Sequence, residues 1–336
     1  MKLKKFNNYI SNLILIFFVI LLYEKLPYYN NFLRGETKIT IIILAIGYAV
    51  GGFLYYYALP FENVKKSKSL IFFNALKRIF LNIFKREKSK TLLTEITNQE
   101  KVSLLFLLVK IFFLPIMLNF FFNNYYSIKS QLPNLLDFSS WLTINNFNNL
   151  LFPFFLTLIF LVDTLWFSFG YAFEAGFLKN KIISVESNFF GWVVALACYP
   201  PFNGIITKYA GWYANDYAYF SSDVLTFFIR IIIVLFLFVY VGATLSLGSR
   251  CSNLTNRGIV KKGPYSIIRH PAYISKNLAW WLTIIPVFSL PAVLSMSAWS
   301  LIYHLRSITE EKHLKKDPNY VEYCKKVKYR YIPGVY

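Results

Sequence analysis

The residues best equipped for chemistry lie beyond residue 260. The run Gly263-Pro264-Tyr265-Ser266-Ile267-Ile268-Arg269-His270-Pro271-Ala272-Tyr273 opens with a turn-forming Gly-Pro pair and leads into an apolar stretch. Pro271 suits the first turn of a helix, because the N–H it lacks would have no partner there. Arg269 and His270 then sit at the N-terminal end of that helix, beside its free backbone donors. This construction suits an anionic or polar ligand group. A second set, Tyr303, Arg306, Glu310 and His313, recurs at spacings of 3, 4 and 3 and so shares one helical face. Arg306 and Glu310 form an i, i+4 pair with Glu311 adjacent. The plain alternative for such a pair is a solvated surface ion pair.

Those residues need elements to carry them, and composition says what the elements are. Of 336 residues, 56% are hydrophobic, 20% aromatic and only 15% charged, with a mean hydropathy of +0.45. A soluble domain carries about 25% charged residues, so this composition excludes a soluble enzyme and a disordered chain. Six apolar runs, 10–24, 39–59, 102–122, 149–169, 189–205 and 225–247, predict transmembrane helices. A further stretch, 273–305, is interrupted by Pro286 and Pro291, leaving arms of 13 and 14 residues. At about 1.5 Å per residue each arm reaches roughly 20 Å, short of a hydrocarbon core of about 30 Å. It reads as a helical hairpin that enters and returns on one side, delivering Arg306–His313 back toward His270 and Tyr273. The expected fold class is an all-α polytopic membrane protein: about six transmembrane helices over 1–247, then a site-bearing region over 248–336 made of the hairpin and a tail.

The formal charge of +20 is then a matter of topology, not of nucleic-acid binding. The inner segments of this layout, 1–9, 60–101, 170–188, 248–272 and 306–336, hold 28 of the 36 Lys and Arg residues. The outer segments, 25–38, 123–148 and 206–224, hold 5. The positive-inside rule places both termini in the cytoplasm. Lys2, Lys4 and Lys5 before an apolar run resemble a secretory signal, but no small-residue cleavage site follows Leu22, so an uncleaved first span is expected. In the inner loop 60–101, Phe72, Leu76, Ile79, Phe80 and Ile83 oppose Asn74, Lys77, Arg78 and Asn82, the pattern of a helix lying in the headgroup plane.

Taken together, GPYSIIRHPAY, the apolar hairpin, RSITEEKHL (306–314) and the tail Tyr320-Val321-Glu322-Tyr323-Cys324-Lys325-Lys326-Val327, ending in Tyr331-Ile332-Pro333, resemble the isoprenylcysteine carboxyl methyltransferase family. That family is related to the membrane phospholipid N-methyltransferases. The resemblance covers Gly263–Pro333 only. It implies a membrane methyltransferase using S-adenosylmethionine, held in a cytosol-facing pocket made by the RHPxY segment, the hairpin and the C-terminal tail. Carried over position by position, Arg269, His270, Tyr273, Glu310 and Glu311 are expected at the cofactor. Arg306 and Glu310 match the family's functional Arg-x-x-x-Glu pattern and are the expected catalytic pair. Tyr320 and Tyr323 are expected to close the pocket by packing.

The implied cofactor carries a sulfonium, an ammonium and a carboxylate, so side chains of both signs are required around it. Glu310 or Glu311 would meet the ammonium or ribose hydroxyls, and Arg306 a carboxylate of cofactor or substrate. The acceptor is expected to be a lipid or lipidated molecule reaching the site sideways from the bilayer. A carboxylate acceptor, with a pKa of about 4, is already ionised at neutral pH and needs no general base. An amine lipid would need one, with Glu311 or His313 as candidates. Such an enzyme would occupy the cytoplasmic membrane of a bacterium or the endoplasmic reticulum of a eukaryote.

The chain departs from short family members in carrying six spans ahead of the motif. Cys198-Tyr199-Pro200-Pro201-Phe202-Asn203 breaks a helix near a span end and frees carbonyls that need polar company. Glu186, Tyr199 and Asn203 are therefore candidates for a substrate entrance, against a kinked and buried helix end. Asp163 and Arg230, at mid-span, are costly unless paired or facing a cavity, and are expected to pair with each other, with Lys110 snorkelling or joining them. His304 lies on a different face from His313 and reads as structural. Three histidines without clustered Asp, Glu or Cys offer no metal site, and Cys198, Cys251 and Cys324 are too far apart for a CxxC pair. Two rival readings remain. One is a nicotinamide-dependent membrane reductase of the steroid-reductase type, whose equivalent of RHPAY is less basic. The other is a transporter or membrane interaction protein resting on Asp163 and Arg230.

Overall fold

The computed structural model describes residues 2–58, 66–84, 96–135 and 143–335. Two units divide it, Met1–Asn119 and Phe120–Tyr336, so residues 120–247 fold with the site-bearing region, not with the first spans.

A helix apolar on all sides belongs in lipid. In the first unit, α1 (Lys2–Lys25) and α3 (Gly35–Ala58), joined by the short α2 (Pro27–Phe32), have that character. Phe17, Phe18, Ile43, Ile46 and Phe53 are all exposed. Their polar residues turn inward and tie the helices: Tyr9 donates to the Ala49 carbonyl and Asn12 to Tyr48, each at 2.7 Å. Asn119 clasps the bend after α2. Its Oδ1 accepts from the Arg34 N–H at 2.8 Å and the Thr37 hydroxyl at 3.1 Å, while its amide donates to the Phe32 carbonyl. The predicted amphipathic helix is α4 (Lys68–Phe84), with Leu76 and Phe80 exposed. The flanks of its loop, 59–65 and 85–95, lie outside the described residues. The long α5 (Asn98–Leu135) starts with a capping box, in which Glu100 accepts from the Thr97 N–H at 2.9 Å and Thr97 Oγ1 accepts from Glu100.

In the second unit, the one-turn α6 (Ile144–Asn146) and a π-turn lead into α7 (Phe152–Ala172). A two-residue strand β1 (Ser184–Val185) pairs antiparallel with β2 (Thr255–Asn256). Between them come α8 (Phe189–Leu196), α9 (Phe202–Thr207) and the long α10 (Asp223–Leu247). The hairpin follows as α11 (Pro271–Thr283) and α12 (Leu290–Leu314), and α13 (Pro318–Lys326) opens the tail.

Among the described residues five helices are long and apolar enough to cross a membrane, and the chain is an all-α polytopic membrane protein. The sixth expected span, 189–205, is not one helix. It breaks at Cys198–Pro201, where the Pro200–Pro201 bond is cis, leaving α8 and α9 with 8 and 6 residues. This segment still makes a crossing. At one end of α7 and α10, Asn148 donates to the Asp223 carbonyl at 3.0 Å and Arg230 donates back to the Asn148 carbonyl. At the other end, Gly170 meets the backbone of Cys251 so closely that a Cβ would fall 2.1 Å from the Cys251 oxygen. The two helices therefore run parallel, and 173–222 must carry the chain back across their full length.

The expected pairing of Asp163 with Arg230 is not made, because parallel packing puts them at different levels. Asp163 accepts from Thr244 Oγ1 at 2.6 Å, toward the end where Gly170 and Cys251 meet. Arg230, at the opposite end, donates to the carbonyls of Asn148, Tyr217 and Ala218 and lies over the rings of Phe152 and Tyr219. It gathers three segments whose carbonyls would otherwise lack partners in hydrocarbon.

The hairpin enters from the end marked by Gly170 and Cys251. Its tip reaches Ala210–Trp212: Ser295 donates to the Gly211 carbonyl at 2.6 Å and Trp299 to the Ala210 carbonyl at 3.1 Å. The first arm has the expected 13 residues, whereas the second continues through the charged residues to Leu314 as a helix of 25.

Candidate active site

Glu311 is the electrostatic centre of this end of the second unit and is only 2% exposed. Its Oε1 accepts from Arg269 Nε at 2.9 Å and from Arg330 Nε at 3.0 Å, and lies 3.2 Å from His270 Nε2. Its Oε2 accepts from Arg330 Nη2 at 3.0 Å, with Lys315 Nζ at 3.8 Å. Burial opposes ionisation of this carboxyl. The hydrogen bonds from His270, Arg330 and Arg269 outweigh that and hold it well below the usual carboxylate range. A carboxylate so committed is no proton acceptor, which removes Glu311 from the candidate bases.

The tail completes this cluster. The Arg269 N–H donates to the Tyr329 carbonyl and the His270 N–H to the Arg330 carbonyl, each at 3.0 Å. The backbone donors expected to face a ligand at these two residues are therefore spent on the tail. Arg269 also donates from Nη1 to the carbonyls of Val327 and Lys328. It thereby fastens the hairpin to the tail. Tyr331 reaches Ser307 and lies 3.0 Å from His304 Nδ1, which accounts for His304. Tyr320 and Tyr323 are buried in the packing of α13.

Arg306 and Glu310 do not pair. A step of four residues turns about 40° around a helix, and the limit of burial on α12 falls between them. Arg306 is 9% exposed and Glu310 is exposed. Arg306 Nη2 donates to Asn253 Oδ1, and its guanidinium lies 5.3 Å from the Tyr273 ring and 5.6 Å from that of Tyr199. Asn253 is fixed in turn: its N–H donates to Tyr171 Oη at 2.7 Å and its side-chain amide to Tyr199 Oη at 3.2 Å. Among the described residues, no carboxylate pairs with Arg306. Tyr273 links the two halves. Its ring stacks on His270 at 5.3 Å with planes 6° apart, and its hydroxyl donates to Glu310 Oε2 at 2.7 Å.

The structure therefore brings together Arg269, His270 and Glu311 as a locked base, and Tyr273, Arg306, Glu310 and Tyr199 as a set with spare polar capacity. Glu186 is not among the side-chain partners named for that set, and Asn203 meets it only through its backbone. Glu186 Oε1 accepts from the Asn188 N–H at 2.8 Å and packs on Gly191, closing the turn into α8. The Asn203 backbone N–H donates to the Tyr199 carbonyl in the first turn of α9. His313 is buried, and its Nε2 lies 3.1 Å from Ser184 Oγ on β1. Burial pushes its pKa below the usual histidine range, against the nearby charge of Glu186. Sequence reasoning missed Asn253, Tyr171 and Arg330. Asn253 and Tyr171 carried no signal, and Arg330 fell between the quoted tail segments that end at Val327 and resume at Tyr331.

A family model described as phospholipid methyltransferase matches residues 218–317, from the approach to α10 to the end of α12. That domain is the lipid-methylating relative of the family named above, and the match does not single out the isoprenylcysteine branch. It includes RHPAY, the hairpin and Arg306–His313, and stops before the tail that carries Arg330. No curated protein and no solved structure matches the chain. The C-terminal part of this all-α membrane protein thus matches a phospholipid methyltransferase domain.

Proposed function

We propose that the protein transfers a methyl group from S-adenosylmethionine to a lipophilic acceptor, a carboxylate before an amine lipid. The observation that carries this reading is the pairing of opposite signs in one place. Arg306 is buried without a carboxylate among the described residues, and Glu310 stands exposed one turn on, bridged to it by Tyr273. The residues present suit a zwitterionic sulfonium compound. A planar guanidinium binds a carboxylate, a free carboxylate binds an ammonium or hydroxyls, and the faces of Tyr199 and Tyr273 favour positive charge.

When bound, the cofactor would supply an electrophilic methyl group, which an in-line nucleophile attacks as the carbon–sulfur bond breaks and a neutral thioether leaves. The chain's residues do the rest by placement and by exclusion of water. Asn253 and the two tyrosines hold Arg306 at one angle. His270, stacked on Tyr273 and held by Glu311, fixes the ring that presents its hydroxyl to Glu310. A carboxylate acceptor attacks without losing a proton, which fits a site whose most buried acid, Glu311, is held as a carboxylate by its cationic partners. The basic residues gathered at this end support a cytoplasmic site, with both termini on that side.

The test is calorimetry of S-adenosylmethionine with the purified full chain and with an Arg306→Ala/Glu310→Ala double variant. Micromolar binding by the wild type, lost in the variant, is expected. A folded wild type that binds none, in detergent and again in lipid nanodiscs, sinks the reading. Labelled cofactor with membrane lipid extracts then separates the acceptors, since a methyl ester releases its label in mild alkali and a methylamine does not.

A further inference from the structure

Lys276 is a half-buried cation between the first arm of the hairpin and helices α7 and α10, one turn beyond Tyr273 on α11. Its ammonium lies 5.0 Å from the Phe160 ring, 4.9 Å from Tyr240 and 5.2 Å from Trp280, which come from α7, α10 and α11. It makes no hydrogen bond and no ion pair among the described residues. The charges of Asp163 and Asp216 act on it without an ion-pair contact, and Asp163 also accepts from Thr244. An ammonium at membrane depth is costly and marks a site by default. Three π faces supply part of the lost hydration but accept none of its N–H donors in the manner of an oxygen.

The same wall continues toward the candidate active site. The Trp280 ring meets Tyr303 at 5.3 Å, and Tyr303 meets Tyr273 at 5.9 Å. Two cations of the hairpin, Lys276 and Arg306, thus stand along one aromatic surface, Lys276 with no oxygen partner among the described residues and Arg306 with the Asn253 amide oxygen but no carboxylate. A box already filled by its own ammonium repels a second cation, so it is not built to receive an amine or a quaternary headgroup.

We propose that Lys276, seated among Phe160, Tyr240 and Trp280, is the acceptor-side anchor: it holds an anionic oxygen group, carboxylate or phosphate, of the lipid and turns away cationic headgroups. The inference rests on the lipid acceptor proposed above and adds the residue that selects it. Its role is binding, so no bond is made or broken at Lys276.

The full chain in a non-ionic detergent is titrated with laurate, dodecyl phosphate and dodecylamine, read by native mass spectrometry, with S-adenosylmethionine affinity measured on the same samples. At least one anion is expected to bind about tenfold or more tightly than the amine. Lys276→Met should abolish that preference and Lys276→Arg retain it, both keeping cofactor affinity within about threefold. The tighter of the two anions names the group as carboxylate or phosphate. Equal binding of amine and anions by the wild type overturns the proposal without any variant, so failure of Lys276→Met to fold does not protect it. A folded Lys276→Met chain that keeps the preference overturns it as well. Absence of cofactor binding in the wild type would instead sink the methyltransferase reading, leaving the anion preference to be judged by the same titration.

Discussion

Arg330 meets Glu311 as a fork, with Nε to Oε1 and Nη2 to Oε2, each at 3.0 Å. Through this pair the tail is joined to α12, while Arg269 and His270 join the same carboxylate to α11. Arg330→Met removes two charge-assisted hydrogen bonds and should lower stability by about 2–3 kcal/mol, and Arg330→Lys, without the fork, should recover only part. Thermal unfolding in detergent measures both. An Arg330→Met chain as stable as the wild type would show that the tail is not held this way.

Acid should loosen this end of the protein in two steps. Burial lowers the pKa of His313, so the unfolded chain binds its proton first and stability falls as pH drops below about 6.5. Glu311 is also lowered, so its contribution is complete above the unfolded value of about 4.3 and is lost as pH falls toward its folded value. The stability gap between wild type and Glu311→Gln should stay constant from pH 8 to about 5 and shrink below about 4. The gap between wild type and His313→Gln should change between about pH 7 and 5 instead. A Glu311→Gln gap that shrinks already at neutral pH would contradict the ion cluster.

Asn253 acts on Arg306 rather than on a ligand. Asn253→Ala should weaken S-adenosylmethionine binding by about threefold to tenfold, roughly 1 kcal/mol, and Arg306→Lys by about tenfold or more. Calorimetry decides, and an Asn253→Ala chain with unchanged affinity would remove Asn253 from the positioning of Arg306.

Gly170 has no room for a side chain, since a Cβ would fall 2.1 Å from the Cys251 carbonyl oxygen. That oxygen is backbone and cannot swing aside. Gly170→Ala should therefore cost about 3 kcal/mol or more, or prevent folding. Gly204, around which nothing lies within 4 Å, is the control, and Gly204→Ala should fold as the wild type does. Comparable yields and melting temperatures for the two variants would refute the close approach of α7 to the loop after α10.

Much of this architecture was legible in the sequence because hydrocarbon imposes simple rules. Long apolar runs had to be helices, and two prolines in a stretch of short arms had to be a hairpin. The RHPxY segment and the charged face of α12 had to meet once the hairpin returned. What could not be read was which side of a boundary each charge would occupy. Arg306, Glu310 and Glu311 lie within six residues, yet one stacks between tyrosines, one faces outward and one is locked among cations. Spacing gives an angle around a helix axis, and burial depends on what packs against that angle. Here that is the tail and the loop bearing Asn253, neither of which has a periodicity to read. Asp163 and Arg230 went to other partners for the same kind of reason, since the levels of α7 and α10 depend on the broken segment between them.

Trp212 is wedged between Trp280 and Trp299, with ring centres 4.7 and 5.3 Å away, while the neighbouring Trp281 donates to Ser300 at 3.0 Å. Four of the seven tryptophans of the chain are thus tied to the hairpin and the loop over its tip. Indoles this close couple their electronic transitions, so the near-ultraviolet circular dichroism of the unlabelled protein should respond to whether the hairpin is seated. The molecule carries its own optical gauge of the element that bears Tyr273, Lys276 and Arg306.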